Sequence, residues 1–178
     1  MEIPTQIVNG RFHVHGLFHD SLRTSLPIEY KKNVARALNR KDVICEDGFS
    51  YWILNSASFN EREYFELNKV NLKDIAYFFY QNFRRKKQLT LEEIPEIIKQ
   101  RERCYTKRSG ELIEAIENES DLTQLPLSFR RYIFEAQEAI KYAEEKALNE
   151  LHVVVGKAHE LSLVYLLNNP EKIQNRNI

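Results

Sequence analysis

The chain has too few cysteines to be held by disulfides and no apolar run long enough to enter a membrane as a helix. Cys45 and Cys104 are the only two among 178 residues; they lie far apart and make no Cys-x-x-Cys pair, so a reduced, cytoplasmic chain is expected. No stretch approaches the roughly 18 apolar residues of a spanning helix, and Met1-Glu2-Ile3-Pro4 is not a basic region followed by an apolar run, so no targeting segment is expected. An excess of one charge is missing too. Lys+Arg 26 against Asp+Glu 26 leaves net charge +0, and no global field draws the chain to nucleic acid or an anionic membrane. Glycine and proline are sparse, 5 of each, and no low-complexity linker divides the sequence. A single domain over 1–178 is expected, large enough to bury a core without staples.

One pattern occurs twice. Phe12-His13-Val14-His15-Gly16-Leu17-Phe18-His19-Asp20 and His152-Val153-Val154-Val155-Gly156-Lys157-Ala158-His159-Glu160 each read as a strand, then Gly-x-x-His, then an acid. Each glycine stands where a run of β-formers stops and is expected to supply the turn that leads the chain out of a sheet. His19 and His159 are thereby presented at carboxyl ends of strands, where open α/β sheets bind ligands. The shared pattern predicts two neighbouring strands in one sheet, with a local pseudo-twofold as one way of relating them. Asp42-Val43-Ile44-Cys45-Glu46-Asp47-Gly48 reads as a short buried strand that ends in two carboxylates and delivers a third group to a strand end.

Elsewhere the periodicities alternate. Asn9-Gly10 between Thr5–Val8 and Arg11–His15 is a strong hairpin signal and predicts a type I′ turn. Leu22 to Pro27 reads as irregular, Ile28 to Asn39 as helix, and about 60–88 and 91–116 as helical, with Thr90-Leu91-Glu92-Glu93 matching a capping box. Phe129 to Leu148 is helical, His152 to Val155 a strand, and Leu161 to Asn168 a closing helix. The fold class is therefore α/β, a small central sheet with flanking helices and a mostly helical insert at about 60–118. The aromatic group Tyr77-Phe78-Phe79-Tyr80-Phe83 suits a core or a subunit interface, which allows for a homo-oligomer.

The run Gln6-Ile7-Val8-Asn9-Gly10-Arg11-Phe12-His13-Val14-His15-Gly16-Leu17-Phe18-His19 resembles the start of the TraB/Tiki superfamily. Domains of that superfamily place a strand-turn-strand before Gly-x-x-His, then a helix, a strand ending in Glu, and a long helix whose Arg precedes a second Gly-x-x-His. The counterparts here are Gly16 and His19, Glu46, Arg131 or its neighbour Arg130, then Gly156 and His159, in the same order; they fall within about 5–50 and 128–168. The resemblance implies a hydrolase-like site, because the superfamily includes the Tiki metalloproteases and erythromycin esterase beside the TraB regulators. It also selects Glu46 over Asp47, which Asp47-Gly48 explains as a turn.

Two neutral imidazoles and a carboxylate, His19, His159 and Glu46, make a donor set for Zn²⁺, Mn²⁺, Co²⁺ or iron, with positions left for water and substrate. Metal-free acid–base work by the same histidines is the open alternative. Arg131 or Arg130 would bind a substrate carboxylate or steady an oxyanion. Asp20 and Glu160 follow their histidines and either orient the imidazoles from behind or cap the next helix, while His15 either joins that outer layer or decorates the surface. His13 and His15 share one face of a strand and form a competing His-x-His pair. The expectation is a metal-dependent hydrolase of peptides or esters; a regulatory module that binds a peptide or small ligand on the same fold is the alternative.

Overall fold

The computed structural model describes residues 3–18, 24–39, 41–46, 64–66, 87–118 and 121–174. Strands β1 (Gln6–Val8) and β2 (Phe12–Leu17) form the expected hairpin. Asn9 at φ 52° and Gly10 at φ 64° are both left-handed and Arg11 N–H donates to Val8 O at 3.1 Å, which together make a type I′ turn. Helix α1 (Ile28–Leu38) leads to β4 (Val43–Cys45), and helix α3 (Leu127–Glu145) leads to β7 (Leu151–Gly156) and α4 (Glu160–Asn168). The preceding helix, α2 (Glu93–Glu117), opens on a reciprocal capping box: Thr90 N–H donates to Glu93 Oε2 at 2.9 Å, and Glu93 N–H to Thr90 Oγ1 at 3.4 Å.

The sheet runs β1-β2-β7-β4-β5, where β5 is Tyr64–Glu66; every pair is parallel except the β1–β2 hairpin. Side chains alternate across it. Val14, Ile44, Val153 and Val155 face a core built with Leu112, Tyr132, Ile133, Ala136 and Leu163 from α2, α3 and α4. Leu17, Val43, Cys45 and Val154 face the opposite way, onto Tyr30, Val34 and Leu38 of α1. This is a small α/β sheet with helices on both faces, as the sequence predicts. No helix among the described residues is long and apolar enough to cross a membrane.

Two sequence expectations need correction. Tyr64–Glu66 lies in a stretch read as helical, yet it is a strand that pairs with the outer edge of β4; completing that ladder outweighs the local periodicity. The segment read as irregular contains β3 (Thr24–Ser25), which pairs in parallel with β6 (Lys87–Gln88), at the end of the same stretch read as helix. The duplicated strands β2 and β7 are neighbours in one sheet, as the shared pattern predicts, and run parallel with Gly16 opposite Val155 and Leu17 opposite Gly156. The aromatic group 77–83 lies outside the described residues.

The motif glycines also have a different reason from the one expected. Neither Gly16 nor Gly156 has positive φ; both are strand residues. At Gly16 the constraint is space, since a Cβ there would stand 2.5 Å from Glu160 Cδ and 2.7 Å from Glu160 Cβ, and Glu160 is buried. The glycine lets the first turn of α4 sit directly on β2. Gly16→Ala should therefore cost about 1–3 kcal/mol of unfolding free energy through overpacking. Urea denaturation of the two proteins checks this, and an unchanged midpoint would show that α4 yields at no cost.

Candidate functional site

The site forms where β4 and β7 end. Glu46 follows β4 directly, and its N–H extends the ladder to Val154 O at 2.8 Å. By strand alternation it shares the face of Ile44, toward α3, and its carboxylate is buried. Its Oε2 accepts from Gly156 N–H at 2.7 Å, tying the end of β4 to the end of β7. His159 N–H donates to Gly156 O at 2.8 Å in the turn that follows, and His159 O accepts from Leu163 N–H, so the histidine is fixed at the first turn of α4. Its Nδ1 lies 2.8 Å from both oxygens of Glu46.

Helix α3 supplies the rest. Arg131 Nη2 is 2.9 Å from Glu46 Oε1, and Arg131 Nε donates to Glu135 Oε1 at 2.8 Å, one turn further along. The Tyr132 ring rests 4.5 Å from that of His159, and its buried hydroxyl has no hydrogen-bond partner among the described residues. Glu46 and Glu135 are 6% and 0% exposed, whereas Arg131 and His159 are 38% and 18%, so the site meets solvent through its cationic and imidazole side.

One guanidinium thus serves two buried carboxylates, and their proton affinities diverge. Burial pushes the Glu46 carboxyl up, but the hydrogen bond and charge of His159, the Arg131 charge and the Gly156 N–H outweigh it, leaving Glu46 below the ordinary range. For Glu135 burial wins, reinforced by the Glu46 charge, and its pKa rises to about 7 despite Arg131. Carboxyls pushed apart in this way are suited to opposite duties in acid–base chemistry. Glu46 stays an anion that accepts Nδ1–H of His159, which makes Nε2 the basic nitrogen. Glu135 holds a proton that can be exchanged near neutral pH.

Of the residues that the sequence nominates, Glu46, Arg131 and His159 meet here, and Arg131 is the arginine in contact. Arg130 Nε is buried, without a hydrogen-bond partner among the described residues. His19 and Asp20 lie outside the described residues. Glu160 pairs with Lys157 Nζ rather than backing the His159 ring. His15 is on the other face of the sheet, bonded to Thr5 and His152, which corrects its placement behind this site. Glu135 and Tyr132 were missed. Their signal is an Arg-x-x-x-Glu pair in which the acid falls on the apolar stripe of α3 with Tyr132, Ala136 and Ala139.

Glu46, Glu135 and His159 bring one ligand atom each within 4.8 Å of one another, close enough for a metal ion. Arg131 already spans the two carboxylates, and Glu135 is half protonated near neutral pH, so this trio does not fit as a direct ligand set. His159 fits through Nε2, with Glu46 at its Nδ1 as the carboxylate that orients the ring.

A stability difference tests this electrostatic reading. The Glu135 pKa is raised from 4.5 to about 7, so the unfolded chain releases this proton first and Glu135 lowers stability progressively as pH rises through that window. Glu46 acts below the window, stabilising above 4.5 and losing that effect as pH falls through its lowered value. His15, lowered to about 4 chiefly by burial, gives the opposite slope from 6.5 downwards, so the wild-type curve alone is a sum. The difference between Glu135→Gln and wild type isolates the carboxyl. The variant should gain about 1 kcal/mol or more on wild type between pH 5 and pH 8. Parallel stability curves from urea titrations would show that Glu135 is not held protonated.

No protein-family model, curated protein or solved structure matches the chain, and the resemblance to the TraB/Tiki superfamily rests on its own residues in 5–50 and 128–168.

Proposed function

We propose that the chain is a hydrolase of esters or peptides built on a TraB/Tiki-like domain, with His159 as its central imidazole. The observation that carries this reading is the buried Glu46 carboxylate at 2.8 Å from His159 Nδ1, held from its other sides by Arg131 and the Gly156 N–H. A carboxylate fixed by so many donors does not move, so the imidazole keeps one tautomer and one orientation. His159 Nε2 then serves as a metal ligand, joined by His19, which follows Leu17 by two residues at the strand end paired with Gly156. A divalent ion held there supplies Lewis acidity and lowers the pKa of water. The half-exposed Arg131 guanidinium steadies the oxyanion that develops on the substrate carbonyl.

A second reading has the same residues act without metal, His159 Nε2 as general base; it is favoured by Arg131, which already compensates the carboxylates. Two variants decide. His159→Gln should lower hydrolysis of p-nitrophenyl acetate or of a fluorogenic peptide pool by at least about a hundredfold, and Glu46→Gln by about 10–100-fold. Loss of bound metal with the activity supports the first reading, and loss of activity at unchanged metal content the second. Full activity in folded His159→Gln would refute both, as would the absence of hydrolysis in the wild type loaded with Zn²⁺, Mn²⁺, Co²⁺ or Fe²⁺.

A further inference from the structure

At the opposite end of the same strands, and on the opposite face, three histidines and a glutamate gather. His13 on β2 is the register partner of His152 on β7, and Glu150 precedes β7 by one residue. The His152 Nε2 stands 2.7 Å from Glu150 Oε1 and His13 Nε2 stands 3.7 Å from the same oxygen. The two rings are 4.7 Å apart. They line a cleft of about 780 Å³ together with Ile3, Pro4, Thr5 and Ala37.

With Lys41 Nζ already on Glu150, what the hydrogen bonding of this group leaves open is the contact between His152 and that carboxylate. In the arrangement where the Thr5 hydroxyl donates to Ile3 O at 3.0 Å, its oxygen is the acceptor at 3.0 Å from His15 Nδ1. His15 therefore carries its proton on Nδ1, and its Nε2, 2.8 Å from His152 Nδ1, must accept. His152 in turn donates from Nδ1. A neutral His152 then turns the lone pair of Nε2 toward a carboxylate oxygen at hydrogen-bond distance, with the His13 ring converging on the same oxygen. Two acceptors face to face repel unless a cation stands between them.

We propose that this cation is a divalent transition ion such as Zn²⁺, bound by His13 Nε2, His152 Nε2 and Glu150, with its remaining coordination open to the cleft. The three ligand atoms lie within 4.8 Å of one another. Tetrahedral ligands at about 2.1 Å from zinc stand about 3.4 Å apart, between the 2.7 and 3.7 Å that now separate Glu150 Oε1 from the two histidines, and at 45% exposure Glu150 has room to adjust. Imidazole with a carboxylate suits Zn²⁺, Co²⁺ or Ni²⁺ and not the hard, oxygen-seeking Mg²⁺ or Ca²⁺. His15 and Thr5 form the outer layer that fixes the ligand nitrogen of His152. Lys41 Nζ lies 3.2 Å from Glu150 Oε1 and is the competing cation; it is 43% exposed, and such a pair is cheap to break.

The competition with Lys41 gives the test a sign. Metal-free full chain is titrated with Zn²⁺ against a chromophoric chelator, for wild type, His13→Ala, Glu150→Gln, Lys41→Ala and His159→Ala. The first two alter partly exposed side chains and spare the buried His152, and thermal melts confirm that they fold. Zn²⁺ affinity should fall at least about tenfold in His13→Ala and Glu150→Gln and rise in Lys41→Ala. At least one equivalent should survive in His159→Ala, which separates this site from the one at Glu46. Unchanged affinity in folded His13→Ala and Glu150→Gln, or no Zn²⁺ bound by His159→Ala, would overturn the proposal and leave a proton on His152 as the charge.

Discussion

The parallel pairing of β7 with both β2 and β4 is the constraint on which the molecule turns. It brings Glu46 and His159, separated by 113 residues of sequence, to one strand end. It sets His13 beside His152, 139 positions further along the sequence, at the other end. All six residues of β7 are buried, with Val153 and Val155 facing one core and Val154 the other. A central strand buried on both faces is a rigid base for functional groups, and both groups of polar residues are placed where it enters or leaves the sheet.

The carboxylates of the first site show how such a base is used. An isolated buried carboxylate is costly, and Glu46 is tolerated because a guanidinium, an imidazole and a peptide N–H all point at it. Glu135 receives only part of the same guanidinium and responds by holding its proton. A single arginine on α3 thus divides two acids of the same type into an anion and a proton donor. Their difference follows from charge as well as depth, since His159, Arg131 and the Gly156 N–H hold Glu46 down and the Glu46 charge helps to raise Glu135.

Much of this was legible in the sequence because strand ends are marked locally. Asn9-Gly10, the β-branched run before Gly156, and Val43-Ile44-Cys45 before Glu46 announce where strands stop, and the TraB/Tiki resemblance then pointed to Glu46, Arg131 or Arg130, and His159. What escaped depends on partners distant in sequence. The backbone of Tyr64–Glu66 becomes a strand because β4 has an open edge, and β3 with β6 pair across more than sixty residues. Gly16 looked like a turn residue and is instead a gap filled by Glu160, which no inspection of either segment reveals. Glu135 carries no local mark of its own, and its role follows from the interior stripe of α3 on which it falls.

The alternation of side chains across β7 has a consequence for how the chain reaches its register. Slipping β7 by one residue against its neighbours would turn His152 into the layer filled by α3 and expose Val153 and Val155 to the histidine cleft. The same slip would move Gly156, and with it the N–H that holds Glu46, by about 3.3 Å. Misregistered intermediates are thus penalised at both ends of one strand, and the polar groups proposed here for chemistry also act as a check on assembly: only one alignment of the sheet satisfies them together.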